Sequence, residues 1–181
     1  MKMEKKSTKK ISTKQLEKIL AEHMLWQKKI GGSRADLSGT DLSGADLSGA
    51  NLCYAQLGSA NLCGANLSGA FLSCALLSKA NLSGAVLKNA GLYQANLSDA
   101  DLENADLSDA RMPYANLHRT NLSGANLTHV DMRNSDLTDA VLSGATLDGL
   151  KLSEANLSGT NIFLDHMGDM NTITAPAITN I

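Results

Sequence analysis

The residues of this chain that could do chemistry are four histidines, three cysteines and many serines and aspartates. Each would need partners at a fixed spacing. His23, His118, His129 and His166 are scattered, and no HExxH pattern sets two imidazoles on one helix face to hold a metal. Cys53, Cys63 and Cys74 stand at no metal-ligand spacing, and their odd number argues against a disulfide framework. No GxGxxG or GxxxxGK[ST] phosphate loop occurs, and no GxSxG elbow presents a nucleophile. The densest acidic group is Asp99, Asp101, Glu103, Asp106 and Asp109, and it lacks the ligand order of a calcium loop. The expectation is a protein that is not an enzyme, with no catalytic residue, no cofactor and no metal site.

Those residues sit on a strict pattern. Ala45-Asp46-Leu47-Ser48-Gly49 is one unit of a five-residue repeat that runs from Ala35 to Leu164 without a break. Its centres fall at every fifth residue from Leu37 to Ile162, twenty-six in all, and only Met112, Met132 and Ile162 replace leucine. Two residues before each centre stands alanine, except at Thr40, Thr120, Val130, Ser135, Leu150 and Thr160. The residue just before the centre is mostly Asp or Asn, and Ser-Gly often follows it.

Period five suits neither regular element. On a helix the leucines would advance by about 500° and spiral around it. On one long strand an odd period would throw them to alternate faces. The pattern works only if the chain turns a corner after every unit, so that each Leu and its preceding Ala face one axis. Such a chain is a solenoid, in which each coil buries a face that it could not bury alone. The composition agrees: 43% of residues are hydrophobic but only 3% aromatic, so alanine and leucine must fill the core. Thr40, Thr120 and Thr160 differ by multiples of twenty, and Met112 and Met132 by twenty. Unusual residues that accommodate one another should be stacked, which favours twenty residues per coil and four sides.

The tandem Ala-Asp/Asn-Leu-Ser-Gly units over residues 35–164 resemble the pentapeptide-repeat family. The lead-in from Ile19 through Trp26 to Gly31-Gly32 is similar to lead-ins of bacterial members. The resemblance implies an all-β solenoid, a right-handed quadrilateral β-helix of about 6.5 coils, roughly 31 Å long at the usual strand spacing. It also implies backbone bonds between coils, aided by short Asn and Ser ladders.

The flanks divide the chain further. Residues 1–11 carry five lysines and little that is apolar, and are expected to be a disordered basic arm. Without interleaved aromatics, no direct nucleic-acid binding is expected of the arm. Ser12-Thr13-Lys14-Gln15 fits a capping box, and Leu16, Ile19, Leu20, His23, Met24 and Trp26 follow a helical stripe. An amphipathic capping helix over residues 13–30 is expected, stopped by Gly31-Gly32 and covering the first coil, in a unit spanning 12–34. No apolar run is long enough for a membrane span, and the N-terminus lacks the features of a secretory signal, so the expected location is cytoplasmic. In the tail, 165–181, Ala175-Pro176-Ala177 argues for extended chain. Phe163 and Leu164 take the usual polar places after the last centre. They would cover the open coil end or meet a second copy, because an uncovered end is a sticky edge. The family resemblance implies end-to-end pairing, hence a homodimer through that end.

With register unbroken, every outward residue can be assigned to a face. The fourth face, with centres 52, 72, 92, 112, 132 and 152, holds Tyr54, Phe71, Tyr93 and Tyr114, together with Arg111. Exposed aromatics beside an arginine are the composition of a binding patch. Neutral drift on a tolerant scaffold would produce the same departures. Residues 1–34 carry a net charge of +7 and residues 35–164 one of -7, so a basic arm precedes an acidic body. The acidic belt from Asp99 to Asp109 spans the first three faces. Two functions follow. One is a protein-protein interaction scaffold, acting through the aromatic face or the C-terminal coil end, with its partner unidentified. The alternative comes from the resemblance, since the family includes proteins thought to protect DNA gyrase from quinolones. It is a DNA mimic whose acidic faces imitate phosphates and act on gyrase.

Overall fold

The computed structural model describes residues 9–162. Its regular elements are the strand β1 (Lys9–Lys10), the helix α1 (Thr13–Gln27) and the strand β2 (Thr40–Asp41). The rest is a column of single-residue rungs. Parallel bridges join each rung to the one twenty residues on, from Asp36↔Gln56 to Asp136↔Asn156. A coil is therefore twenty residues, four repeats, and the body is a quadrilateral β-helix.

One repeat explains the others. At Leu57, the Ala60 N–H donates to the Leu57 carbonyl at 3.0 Å and closes a β-turn. The third residue of that turn, Ser59, has φ 56°, as a type II turn requires. The equivalent residue is often glycine, which takes positive φ without steric cost. Neighbouring coils then exchange backbone bonds. Gln56 N–H donates to Ala35 O at 2.9 Å, and Leu57 N–H to Leu76 O at 2.8 Å. The inward pair of each repeat is buried: Ala85, Leu87, Ala90 and Leu92 are wholly inaccessible. Only the end coils leak, with Ala45, Ala50, Leu147 and Leu157 partly exposed.

The exceptions at the alanine position keep their polar atoms satisfied. Thr40 Oγ1 donates to Leu37 O at 2.6 Å, and Ser135 Oγ to Met132 O at 2.5 Å. Thr120 Oγ1 reaches across a coil to Leu97 O at 2.9 Å. Met112 and Met132 are buried in successive coils of one side, as are Val130 and Leu150.

Where the residue before a centre is Asp or Asn, it holds its own turn. Its side-chain oxygen accepts from the backbone N–H two residues on, as in Asp46 with Ser48 at 3.1 Å and Asn66 with Ser68 at 3.1 Å. This is an Asx turn. The Asn amide then donates to the carboxylate one coil back: Asn66 Nδ2 to Asp46 Oδ1 at 3.1 Å, Asn121 Nδ2 to Asp101 Oδ1 at 3.0 Å.

Two expectations for the N-terminal region need correction. The basic arm is not free throughout 1–11: Lys9 and Lys10 pair in parallel with Thr40 and Asp41, and Lys9 N–H donates to Gly39 O at 3.0 Å. The first coil has an open edge there, and backbone bonding along an edge does not depend on apolar side chains. Helix α1 begins with the capping box, Gln15 N–H to Ser12 Oγ at 3.3 Å and Ser12 N–H to Gln15 Oε1 at 2.8 Å. It ends at Gln27 and not at residue 30. The stop is a Schellman motif: Lys29 takes φ 57°, its N–H donates to Trp26 O at 3.0 Å, and Ile30 N–H donates to Leu25 O at 3.2 Å. Gly31-Gly32 follows the stop. Gly32 is needed for closeness, because a side chain there would run into the Glu22 carbonyl.

Leu16, Ile19 and Leu20 pack on the core, and His23 is fully buried. Met24 does not join that stripe; it is exposed. Phe163, Leu164 and the tail 165–181 lie outside the described residues.

Candidate interaction surface

The aromatics assigned to one face occupy three separate sites. Tyr54 lies against the helix, with the Trp26 ring 6.4 Å away edge to face and Trp26 stacked on His23 at 5.5 Å. Gln27 Nε2 ties the same junction by donating to Asn51 Oδ1 at 3.0 Å and Cys53 O at 3.1 Å. Cys74 beside Tyr54, by its charge and its hydrogen bond, pushes the phenol above its ordinary pKa. Tyr93 and Tyr114 form a second group, rings 5.7 Å apart at 72°. Phe71 stands apart at the corner between the third and fourth faces.

That corner is a groove of about 530 Å³. One wall is the rung column Phe71, Gly91, Arg111, Asp131 and Lys151, and Asp109 and His129 line the other. Two of its carboxylates are engaged. Arg133 grips Asp131 with two bonds, at 2.9 and 2.7 Å, and that hydrogen bonding holds the Asp131 carboxyl below its usual range. Asp109 lies 3.5 Å from the His129 ring.

The acidic belt is built into the scaffold. Asp99 pairs with Arg119 at 3.2 Å. Asp101 Oδ1 accepts from Glu103 N–H at 3.1 Å and from Asn121. Asp106 Oδ1 accepts from Ser108 N–H at 2.9 Å and from Asn126 Nδ2 at 3.1 Å. The five carboxylates lie along half of one coil, and most serve turns, ladders or ion pairs.

Among the described residues, no cluster of three or more His, Cys, Asp or Glu side chains could hold a metal ion. No helix there is long and apolar enough to cross a membrane. The cysteines are free thiols. Cys74 Sγ donates to Gln94 Oε1 at 3.7 Å, and Ser83 Oγ donates to Cys63 Sγ at 3.4 Å.

Sequence reasoning missed the division of the aromatics. The signal was available in their places within the unit. Phe71 precedes its centre, Tyr93 follows its centre by one residue, and Tyr54 and Tyr114 follow by two. Place sets Phe71 in a column of its own, whereas Tyr54 and Tyr114 share a column but lie three coils apart, and Tyr93 meets Tyr114 from the neighbouring coil.

A four-sided solenoid whose surface varies around an invariant core defines a class of repeat proteins. The sequence model of pentapeptide repeats matches in eight copies, over 33–69, 70–109, 92–128, 100–139 and 125–162. The chain belongs to the pentapeptide-repeat family. Its fold is similar to two trypsin-treated variants of QnrB1, a plasmid-mediated fluoroquinolone resistance protein. One is 26% identical with a TM-score of 0.60, covering 67% of this chain and 64% of that one. The other is 23% identical with a TM-score of 0.63, covering 71% and 66%. The chain thus spans somewhat less than two thirds of those QnrB1 chains. A further similar structure is HetL from the cyanobacterium Nostoc, a pentapeptide repeat protein involved in heterocyst differentiation regulation. It is 35% identical, with a TM-score of 0.45 and coverage of 71% and 68%. No curated protein matches the chain significantly by sequence.

Proposed function

We propose that the chain is a non-enzymatic, cytoplasmic scaffold that docks a protein partner on its fourth face. The supporting observation is the Tyr93–Tyr114 pair. Both rings are about half exposed, touch each other edge to face, and stand away from α1. Exposed apolar residues on the other faces, such as Leu76, Val86 and Val141, are single aliphatics. Paired tyrosines offer large contact area at low entropy cost and a hydroxyl for the rim of an interface. The test is a photo-crosslinking residue at Tyr114 in living cells, with one at Ser123 on the second face as control. The expected outcome is a discrete heteromeric adduct from position 114 alone. Equal adducts from both positions, or none from 114, would remove the fourth face.

A second reading has one observation in its favour, the likeness to QnrB1. On that reading the acidic faces act on DNA gyrase. Arg119 neutralises Asp99, and the scaffold's own amides occupy an oxygen each of Asp101 and Asp106, which is why this reading ranks second. A gyrase supercoiling assay with and without a quinolone decides it. No change at high micromolar protein sinks the gyrase role. A homodimer through Phe163 and Leu164 belongs to the scaffold proposal, and light scattering on a chain lacking residues 163–181 tests it. An unaltered mass would exclude that end.

A further inference from the structure

Two glycines among the described residues lack the positive φ that would require glycine: Gly58 and Gly91. Gly58 sits in ordinary contact with Ser78. Gly91 is different. A methyl group in place of its hydrogen would find no atom within 4 Å beyond its chain neighbours. It occupies the rung position before a centre, where the other coils carry Asn51, Phe71, Arg111, Asp131 and Lys151. Phe71 is bridged to it on one side and Arg111 on the other. Neither side chain comes within 4 Å of that methyl position, and Phe71 is 56% exposed.

We propose that the open rung at Gly91 receives an aromatic side chain from an acidic, extended segment of a partner protein, stacked between Phe71 and Arg111. This rests on the scaffold reading and names what that partner presents to the corner of the fourth face. Coils are about 4.8 Å apart, so a ring at the level of Gly91 lies about 4.8 Å from the rungs of Phe71 and Arg111. That falls within the roughly 4.5–7 Å of offset aromatic pairs and the roughly 6 Å of cation–π contact. Inserted there, the ring completes a ladder that the chain itself interrupts.

The groove selects the flanking chemistry. Asp131 is gripped by Arg133, and His129 stands 3.5 Å from Asp109. The two positive side chains of the wall, Arg111 at its middle and Lys151 at its end, remain to attract carboxylates beside the aromatic residue. From Phe71 to Lys151 the wall is five rungs, about 19 Å. An extended segment of about six residues spans it at roughly 3.3 Å per residue. A groove of about 530 Å³ exceeds one ring and accommodates the flanks.

The probe is the blocked peptide acetyl-Asp-Glu-Phe-Asp-Glu-amide, followed by the shifts of the backbone amides of residues 71 and 91 in nitrogen-15 spectra of the full chain and of each variant. Saturable binding below millimolar concentration is expected, at least tenfold weaker when alanine replaces the phenylalanine or lysines replace the acids. Gly91→Phe fills the rung from within and should weaken binding tenfold or more. Gly91→Val blocks it with a smaller side chain, should any perturbation of the larger variant need separating. Arg111→Gln should weaken binding about fivefold, whereas Leu76→Ser on another face should not. Binding that ignores the phenylalanine, binding unchanged in both Gly91 variants, or none at 5 mM overturns the proposal. A crosslink from Tyr114 beside any of these failures would keep the scaffold and discard the rung.

Discussion

At the scale of residues, the unit fixes far more than its leucines. The Asp or Asn before each centre was legible as a turn former, yet its work is twofold. It accepts the backbone N–H of its own turn, and it meets the Asn of the next coil, as Asp41 does with Ser43 and Asn61. The same hydrogen bonds, led by the Ser43 hydroxyl, hold the Asp41 carboxyl below its ordinary pKa. The second role depends on which residues lie twenty apart, so it stays hidden until the coil length is known. Glycine also splits into kinds that composition cannot separate. Gly32→Ala strains a φ of 72° and collides with the Glu22 carbonyl, so it should destabilise by about 1 kcal/mol or more. Gly91→Ala meets no atom and has an ordinary φ, so it should be neutral or stabilise by roughly 0.4–1 kcal/mol through the unfolded chain. Denaturant unfolding of both variants checks the pair, and equal effects would refute this distinction.

At the scale of elements, the helix was visible in its capping box and stripe. Its end was not, because a Schellman motif on Lys29 leaves no glycine signal. The decisive residue is His23. Its Nδ1 accepts the Ala35 N–H at 3.1 Å, where the helix meets the first coil, and its ring is fully buried. Burial chiefly, and Arg34 in addition, lower its pKa from the ordinary 6.5, against the opposing pull of the Cys53 backbone. A proton on Nδ1 would set two donors against each other. The folded state therefore favours neutral His23, and its contribution is complete above pH 6.5. It is lost as pH falls from there through the lowered folded value. Trp26 is the only tryptophan and stacks on His23, so its fluorescence follows this junction. Stability measured that way should hold steady from pH 8 to 6.5 and decline toward pH 5. His23→Gln should flatten the profile, and an unchanged slope would show that another group controls it.

At the scale of the whole molecule, the rod is a line of nearest neighbours. Each coil touches only the coils beside it, so stability is a sum of local terms. The solenoid was legible because period five admits no other way to bury every Leu and Ala. The surface was less so, since the unit constrains only what faces the axis and leaves outward columns free. The ends are unequal. The first coil is covered by α1 and edged by β1, and Ile11, Leu16, Ile19 and Leu20 pack against it. Toward the last coil, Ala145, Leu147, Ala155 and Leu157 remain partly exposed. A one-dimensional rod frays from the end whose terminal interface is weakest. Amide hydrogen exchange should therefore be slowest for coils between Ala55 and Leu137, where core residues are almost wholly inaccessible, and fastest from Leu142 onward. Leu87→Ala, in the protected middle, should cost about 2–5 kcal/mol and break the rod's cooperativity, because both neighbouring coils lose their packing. Leu157→Ala should cost much less and leave protection at residues 55–137 unaltered. Uniform exchange along the rod would mean instead that the coils unfold as a single unit, with the far end held as firmly as the helix-covered one.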